Sequence, residues 1–424
     1  MINDASIEAV QQAQWKPHFI RPLYGSYCFS RIPSLLHSLF SGDEAGIQQQ
    51  LLGPLAGHYD KVILFFIDAF GWRFFERYAD SYPILRRILD EGYATKLTSQ
   101  FPSTTAAHVT AIHTGLPVDQ SGVFEWFYYE PTIDALIAPL LFSFAGDREP
   151  GMLLRAGVKP QDIFPYPIET VYSRLADIGV RSSVHQDALY TPSPHGSIAF
   201  RGADVVPFHD LDAGLSALSE RVLNTPGRSY HFLYIDEIDG AGHHYGPNSP
   251  QFDAAVDSTM RRIESFLSGV MKNSGGKTLF LMTADHGQTE TDPGTTFYVN
   301  LEMPGFDRFI KTNRKGQLMA LGGSPRDLFL YIRDEYEDEA QAELTARLEG
   351  RAEVHKVRDL IQGHFFGEGE PSARLLDRVS NLVVLPYEGE GMYWYEEGRF
   401  SQDFWGHHGG LTRPEMETIL LALT

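Results

Sequence analysis

The chain has 424 residues, 43% hydrophobic and 21% charged, the composition of an ordinary soluble globular enzyme with one large α/β domain or two to three smaller ones. A net charge of −20 excludes a non-specific polyanion binder, because affinity for nucleic acid polymers rests on neutralising phosphates with Lys and Arg. The one cysteine, Cys28, excludes an internal disulfide and a cysteine-based zinc cluster.

In chain order, the opening Met1–Ala5 lacks the basic and then apolar stretch of a signal peptide. No apolar run approaches the ~18 residues of a membrane-crossing helix, so a soluble, cytoplasmic protein without a membrane partner is expected. The first clear strand is Val62–Ile67, a continuous apolar run suited to a parallel strand buried on both faces. It stops at Asp68, and Gly71 opens a helix-like stretch. The same grammar recurs at His231–Ile235 before Asp236, and at Thr278–Thr283 before Asp285 and His286. A helix is predicted after Pro250, with Phe252, Ala255, Val256, Met260, Ile263, Phe266, Leu267 and Val270 on one face; Ser249 and Pro250 supply its cap and first turn. Strands alternating with helices predict an α/β fold with a mostly parallel central sheet flanked by helices. In such sheets functional groups collect beyond the carboxyl ends of the strands, where these acids fall.

Residues from about 127 to 227 mix Pro, Gly and Tyr with short strand-like runs such as Val205–Phe208, and are expected to form a cap inserted into a single catalytic domain spanning 1–424. The Glu-rich stretch Arg333–Arg351 is expected to be a solvated amphipathic helix.

Taken singly, an Asp after a strand is more often a helix cap than a ligand. Five segments in order change that: Ile67–Gly71, Phe101–Thr105, Asp239–His243, Ala284–Gly287 and Gly406–Gly409. Each offers an oxygen or imidazole donor beside a glycine or at a strand end, and oxygen donors mixed with imidazole suit zinc or manganese.

This set resembles the alkaline phosphatase superfamily, in particular its type I phosphodiesterase/nucleotide pyrophosphatase branch. The likeness rests most on Asp239, Gly242 and His243 followed by Tyr245–Pro247, together with Thr283–Gly287. It implies two divalent metal ions, zinc or manganese. One would be held by Asp239, His243 and His408, the other by Asp68, Asp285 and His286 with the oxygen of the nucleophile Thr105. The spacing of Asp239 and His243 lets one helical turn aim both at one ion. Two such ions clamp the attacking and leaving oxygens of an in-line displacement.

The register of the nucleophile has two readings. Counting eleven positions to the end of Thr114-Gly115, or from Phe101-Pro102, selects Thr105; aligning on His108 selects Thr104. Either hydroxyl could instead be a simple helix cap. The branch usually carries an Asn donor after the Ser121–Gly122 position. Here Trp126 falls at or near that place, within the run Val123–Tyr129, so an aromatic wall for a planar leaving group is one reading and a packed hinge the other. His185, Gln186 and Asp187 follow the strand-like Ser182–Val184 and are further candidates to line the cleft; His37, His58 and His195 sit in no motif, and His407 is the less favoured neighbour of His408.

The function implied is hydrolysis of a small phosphodiester or pyrophosphate, a nucleotide among the possibilities, through a phospho-threonine. Other readings are a phosphomonoesterase, a phosphonate hydrolase, or a metal-binding pseudoenzyme that recognises a partner. Phe101–Thr105 holds neither the Cys nor the Arg of sulfatases, and Thr stands where cofactor-independent phosphoglycerate mutases use Ser.

Overall fold

The computed structural model describes residues 1–43, 45–165 and 168–424. Its main sheet has seven strands, in the spatial order Tyr93–Thr98, Glu417–Leu423, Thr278–Thr283, Lys61–Ile67, Ser229–Ile235, Arg181–Asp187 and Asp204–Phe208. Six run parallel, and Glu417–Leu423 is antiparallel to both of its neighbours.

The continuous apolar runs are explained by the sheet's two covered faces. Along Lys61–Ile67 every residue is buried. Val62, Leu64 and Phe66 point into one core and Ile63, Phe65 and Ile67 into another. The neighbouring Thr278–Thr283 strand repeats the division, with Leu279 and Leu281 on the first side and Phe280 and Met282 on the second. The helix predicted after Ser249 spans Pro250–Val270 and covers the second face through Phe252, Val256, Met260, Ile263, Phe266, Leu267 and Val270. The Ser249 hydroxyl accepts the Phe252 N–H, and Pro250 fills the first turn. Ala255 is only half-buried at the edge of that stripe.

The expected insertion at 127–227 divides differently. Its first part, Tyr128–Glu130, Ala135–Ala138 and Ser143–Phe144, forms a small antiparallel sheet outside the main one. Its second part supplies two strands of the main sheet, Arg181–Asp187 and Asp204–Phe208, and the helix Leu211–Asn224 that buries Leu215, Leu218 and Val222 against them. Asp204–Phe208 is an edge strand with only Phe208 buried, which is why it lacks the apolar signature of the central strands.

The larger excursion from the sheet lies later in the chain. Leu328–Leu330, Leu382–Pro386 and Ala352–Lys356 make a three-stranded antiparallel sheet. It is covered by the predicted acidic helix, Glu337–Arg347, through Ala340 and Leu344. Phe297, Phe309, Leu321, Val384 and Phe400 join it in a third core, with Leu136 and Ala145 from the earlier small sheet. Among the described residues no helix is long and apolar enough to cross a membrane.

Candidate active site

Three adjacent parallel strands bring the predicted ligands together. Thr283 pairs with Phe66, and Ile235 with Ile67, so the strands end at nearly one level. Asp68 follows the middle strand directly, Asp285 and His286 follow one flanking strand, and the helix Glu237–Tyr245 after the other carries Asp239 and His243 one turn apart. Two motif glycines let the loops nest. A Cβ at Gly71 would lie 2.7 Å from the Gly287 Cα, and one at Gly287 would lie 2.1 Å from the Pro414 carbonyl oxygen. Ala69 adopts φ 61°, a left-handed conformation for a non-glycine residue, and its N–H donates to Asp285 Oδ1 at 3.2 Å. Local strain of this kind persists where the surroundings over-determine it.

Residue His408 arrives from far along the chain. The short strand Gly406–His407 pairs with Thr289–Glu290, and Ser103 ties the next turn to the nucleophile segment. The Ser103 N–H donates to the Gly409 carbonyl at 3.1 Å, and the Gly409 N–H to Ser103 Oγ at 3.1 Å.

The six residues form two groups, Asp239–His243–His408 and Asp68–Asp285–His286, each with ligand atoms within 4.8 Å of one another. In the first, His243 Nε2 lies 3.2 Å from Asp239 Oδ2 and His408 Nε2 3.8 Å from Asp239 Oδ1. In the second, His286 Nε2 lies 3.4 Å from Asp68 Oδ1 and 3.1 Å from Asp285 Oδ2. The groups adjoin, the His286 and His408 rings being stacked with centroids 3.6 Å apart.

The three imidazoles share one arrangement. Nδ1 of His286 donates to the Gly287 carbonyl (2.9 Å), Nδ1 of His243 to Gly406 (2.8 Å) and Nδ1 of His408 to Ser103 (2.9 Å). A carbonyl only accepts, so each Nδ1 carries the proton and each Nε2 turns a lone pair to the carboxylates. His108 is the contrast: its Nε2 accepts the Gln100 N–H at 2.9 Å, leaving nothing for a ligand.

The charge balance also fits divalent ions. Asp68 Oδ1 and Asp285 Oδ2 are buried without a hydrogen-bond partner among the described residues. Burial pushes the Asp68 carboxyl well up, and the charges of Asp285 and Asp239 push it further. Asp239 is also driven up by burial, but His243, His408 and His286 outweigh that and hold it below the usual carboxylate range. Burial pulls His408 well down, to the neutral form a ligand needs, and His286 adds to the effect. A protein buries unpaired carboxylates at high cost unless a cation meets them.

The predicted nucleophile stands at the second group. Thr105 is the first residue of the helix Thr105–Thr114, and its Oγ1 lies 3.4 Å from Asp68 Oδ2 and 3.3 Å from His286 Nε2. Thr104 occupies the cap position, is buried and makes no capping hydrogen bond, so the reading of both threonines as simple caps does not describe either side chain.

A cavity of about 390 Å³ opens over the first group and Thr105, lined by Thr105, Asp239, His243 and His408 together with Trp126, Tyr393, Arg399, Phe400 and Phe404. Trp126 stands on this wall, 37% exposed. His407 also reaches the cavity, but its Nδ1 accepts the His408 N–H at 2.9 Å and burial pulls it down to about 3. His185 is elsewhere, buried and bonded to Ser183 Oγ at 3.0 Å. His195 packs against Phe164 and Phe200.

Three residues at the site escaped the sequence reading. The Tyr234 hydroxyl donates to Asp68 Oδ2, Gln288 Nε2 donates to Asp239 Oδ1 at 2.6 Å, and Glu125 is buried in the cavity wall. Gln288 had a signal, since it follows Gly287 directly; Glu125 was one acid in an aromatic run.

The profile of the type I phosphodiesterase / nucleotide pyrophosphatase family matches residues 62–411. The chain belongs to that family. The match takes in every predicted ligand, Thr105 and the later lobe. Type I phosphodiesterase / nucleotide pyrophosphatase members are hydrolases of phosphoric esters, and this chain is placed among them. Murine ectonucleotide pyrophosphatase / phosphodiesterase 5, solved as an inactive form in complex with AMP, is 15% identical, with 86% of this chain and 88% of that chain covered at a TM-score of 0.65. The human ectonucleotide pyrophosphatase / phosphodiesterase 5 is 16% identical, with 86% and 87% covered at 0.63. Phosphonoacetate hydrolase from Sinorhizobium meliloti 1021, in complex with phosphonoacetate, is 17% identical, with 87% and 92% covered at 0.59. At such identities the likeness is one of fold, and all three support the alkaline phosphatase-like α/β architecture. No curated protein sequence matches the chain.

Proposed function

We propose that the chain is a single catalytic unit that cleaves a phosphodiester or pyrophosphate bond in a small molecule by forming a phospho-threonine at Thr105. The observation that carries the reading is the placement of Thr105 Oγ1 within 3.4 Å of both Asp68 and His286, at a helix start and on the wall of one cavity with Asp239, His243 and His408. Asp68, Asp285 and His286 would hold one divalent ion and Asp239, His243 and His408 another, zinc or manganese by the mixture of donors. Ions so held would supply positive charge to the attacking and leaving oxygens.

The chain's own part is positioning. As the first residue of its helix, Thr105 has a backbone N–H with no intrahelical partner, free to meet a phosphoryl oxygen, and its hydroxyl sits at the positive end of the helix dipole. The Tyr234 hydroxyl and the Ala69 N–H fix Asp68 and Asp285 in place. The aromatic wall of Trp126, Phe400 and Phe404 suits a planar or apolar leaving group. Two in-line displacements would return the configuration at phosphorus.

The observation that favours a monoester instead is Arg399, which reaches the cavity wall from a distant part of the chain. Its Nε donates to the Ala145 carbonyl at 3.0 Å and its Nη1 pairs with Glu396 at 3.1 Å, so its charge already has a carboxylate partner. Acid trapping of the reacting enzyme with a labelled diester, followed by mass spectrometry, tests the proposal. Phosphate on Thr105 is expected; phosphate on Thr104, or no labelled residue during turnover, sinks it.

A further inference from the structure

The mechanism above leaves one buried acid in the cavity without a task. Glu125 is fully buried and lines the cavity beside Thr104 and Thr105. Its Oε2 accepts the backbone N–H of Trp126. Its Oε1 is buried and has no partner among the described residues. Near it lies a second fully buried carboxyl, Asp327, whose Oδ1 accepts from the Ser324 N–H (3.0 Å) and hydroxyl (2.6 Å) while Oδ2 has no partner among the described residues.

Two unpaired carboxylates cannot both stay ionised in so dry a place, and no lysine or arginine among the described residues bonds to either. Burial pushes Glu125 up to about 7. Burial pushes Asp327 well above the carboxylate range, and the charge of Glu125 adds to it. The other groups facing Glu125 are the Thr104 hydroxyl, the His286 imidazole at longer range, and the Tyr393 phenol across the cavity. An ionised Glu125 would repel a phosphoryl group seated on Thr105. A protonated one presents an O–H donor and a carbonyl acceptor, the same pair of functions as a side-chain amide.

We propose that Glu125, holding its proton, donates a hydrogen bond from its free oxygen to a non-bridging phosphoryl oxygen of the substrate, opposite the Thr105 N–H. The assignment rests on the phosphoesterase reading of Thr105. It gives this chain an oxyanion donor although Trp126 occupies the place of the family's amide. It also explains why a substrate cavity for an anion holds a buried acid.

The test uses the full chain loaded with zinc or manganese and bis(4-nitrophenyl) phosphate as substrate. Kcat/KM is followed against pH for the wild type, Glu125→Gln and Glu125→Ala, with metal content and melting temperature measured on each. Glu125→Ala is expected to lose about 10²–10³-fold in kcat/KM with its metal retained. Glu125→Gln, which keeps a donor at all pH values, is expected within about tenfold of wild type at acid pH, where a full donor group is present in both. It should lack the fall that the wild type shows as Glu125 ionises with rising pH. A merely structural Glu125 would leave that alkaline limb in place. Glu125→Ala at the wild-type rate, or Glu125→Gln with an unchanged alkaline limb, overturns the inference. If Glu125→Ala does not fold, the pH profile of Glu125→Gln alone decides. A wild type inert towards diesters sinks the reading of Thr105 and this inference together, whereas an active wild type with an unaffected Glu125→Ala sinks only this one.

Discussion

The metal-ligand side of the cavity and its substrate side are held in different ways. Asp68, Asp285 and His286 stand at the ends of adjacent strands whose residues are wholly buried, and each side chain is oriented by a backbone group or a neighbouring hydroxyl. Across the cavity, Gly323–Pro325, Arg399–Gln402 and Phe404 come from loops, and Tyr393 from a two-residue strand, all outside the main sheet. The first side is fixed by the same hydrogen bonds that build the sheet. The second depends on how the later lobe is anchored, so its shape can vary without disturbing the ligands. Rigid scaffolds carrying variable loops are a common way to keep one chemistry and change its substrate.

Four experiments put that contrast to the test. The largest effect is expected on the rigid side: Thr105→Ala should cost roughly 10³-fold or more in kcat, as loss of a nucleophile does, while both ions remain bound. Its neighbour supplies the control, since Thr104→Ala, with no capping hydrogen bond to lose, should keep most of the rate and lose less than about 1 kcal/mol of stability. Rates with elemental analysis check both, and equal losses in the two variants would dissolve the assignment.

The next effect is on the anchor of the loop side. Arg326 is fully buried, donates twice to Glu415 at 2.9 Å, and also reaches the Tyr387 carbonyl at 2.7 Å. Glu415→Gln leaves that guanidinium without its counter-charge and should cost about 3–5 kcal/mol in urea unfolding. Glu415 lies just after the His408 turn, so the same variant should lower activity as well; a stable, fully active protein would show that the lobe is not tethered here.

Removing the ions should have an intermediate effect on stability. Dialysis against a chelator is expected to abolish turnover, and added zinc or manganese at ~100-fold over Kd should restore about 2.7 kcal/mol of stability, read as a rise in Tm. Indifference of both rate and Tm to chelator would remove the metals from the account. The smallest effect is expected at the rim. Trp126→Ala should raise KM for a nucleotide diester by an amount equivalent to about 1–3 kcal/mol of lost stacking, with little change for a small alkyl diester. Equal changes for both substrates would make Trp126 a packing residue of the hinge.

The same contrast separates what could be read in the sequence from what could not. Val62–Ile67, His231–Ile235 and Thr278–Thr283 were legible because strands covered on both faces must be apolar throughout, and the acids at their ends stood out against those runs. Residues 181–208 read as insertion because strands near a sheet edge carry Arg181, Ser182, Ser183 and Asp204, so their apolar runs are short and broken. The later lobe was not anticipated, since its strands are short and its core draws on positions as far apart as Leu136 and Phe400. Tyr234 gave no sign of its contact with Asp68, because a tyrosine in a buried strand reads as core. Glu125 could be singled out only once folding placed it beside Asp327, some two hundred residues away in the chain.

The last strand has a consequence for the making of the protein. Glu417–Leu423 is not an edge strand: it lies between Thr278–Thr283 and Tyr93–Thr98 and hydrogen-bonds to both. Until those residues leave the ribosome, Thr278–Thr283 has an open flank and Tyr93–Thr98 has no strand to join it to the rest of the sheet. A nascent chain must therefore hold an exposed, strongly apolar strand edge from the emergence of Thr278–Thr283 until that of Glu417–Leu423, a period in which unpaired edges invite aggregation. Assembly of the site, which needs His408 only a few residues earlier, would close at the same late moment.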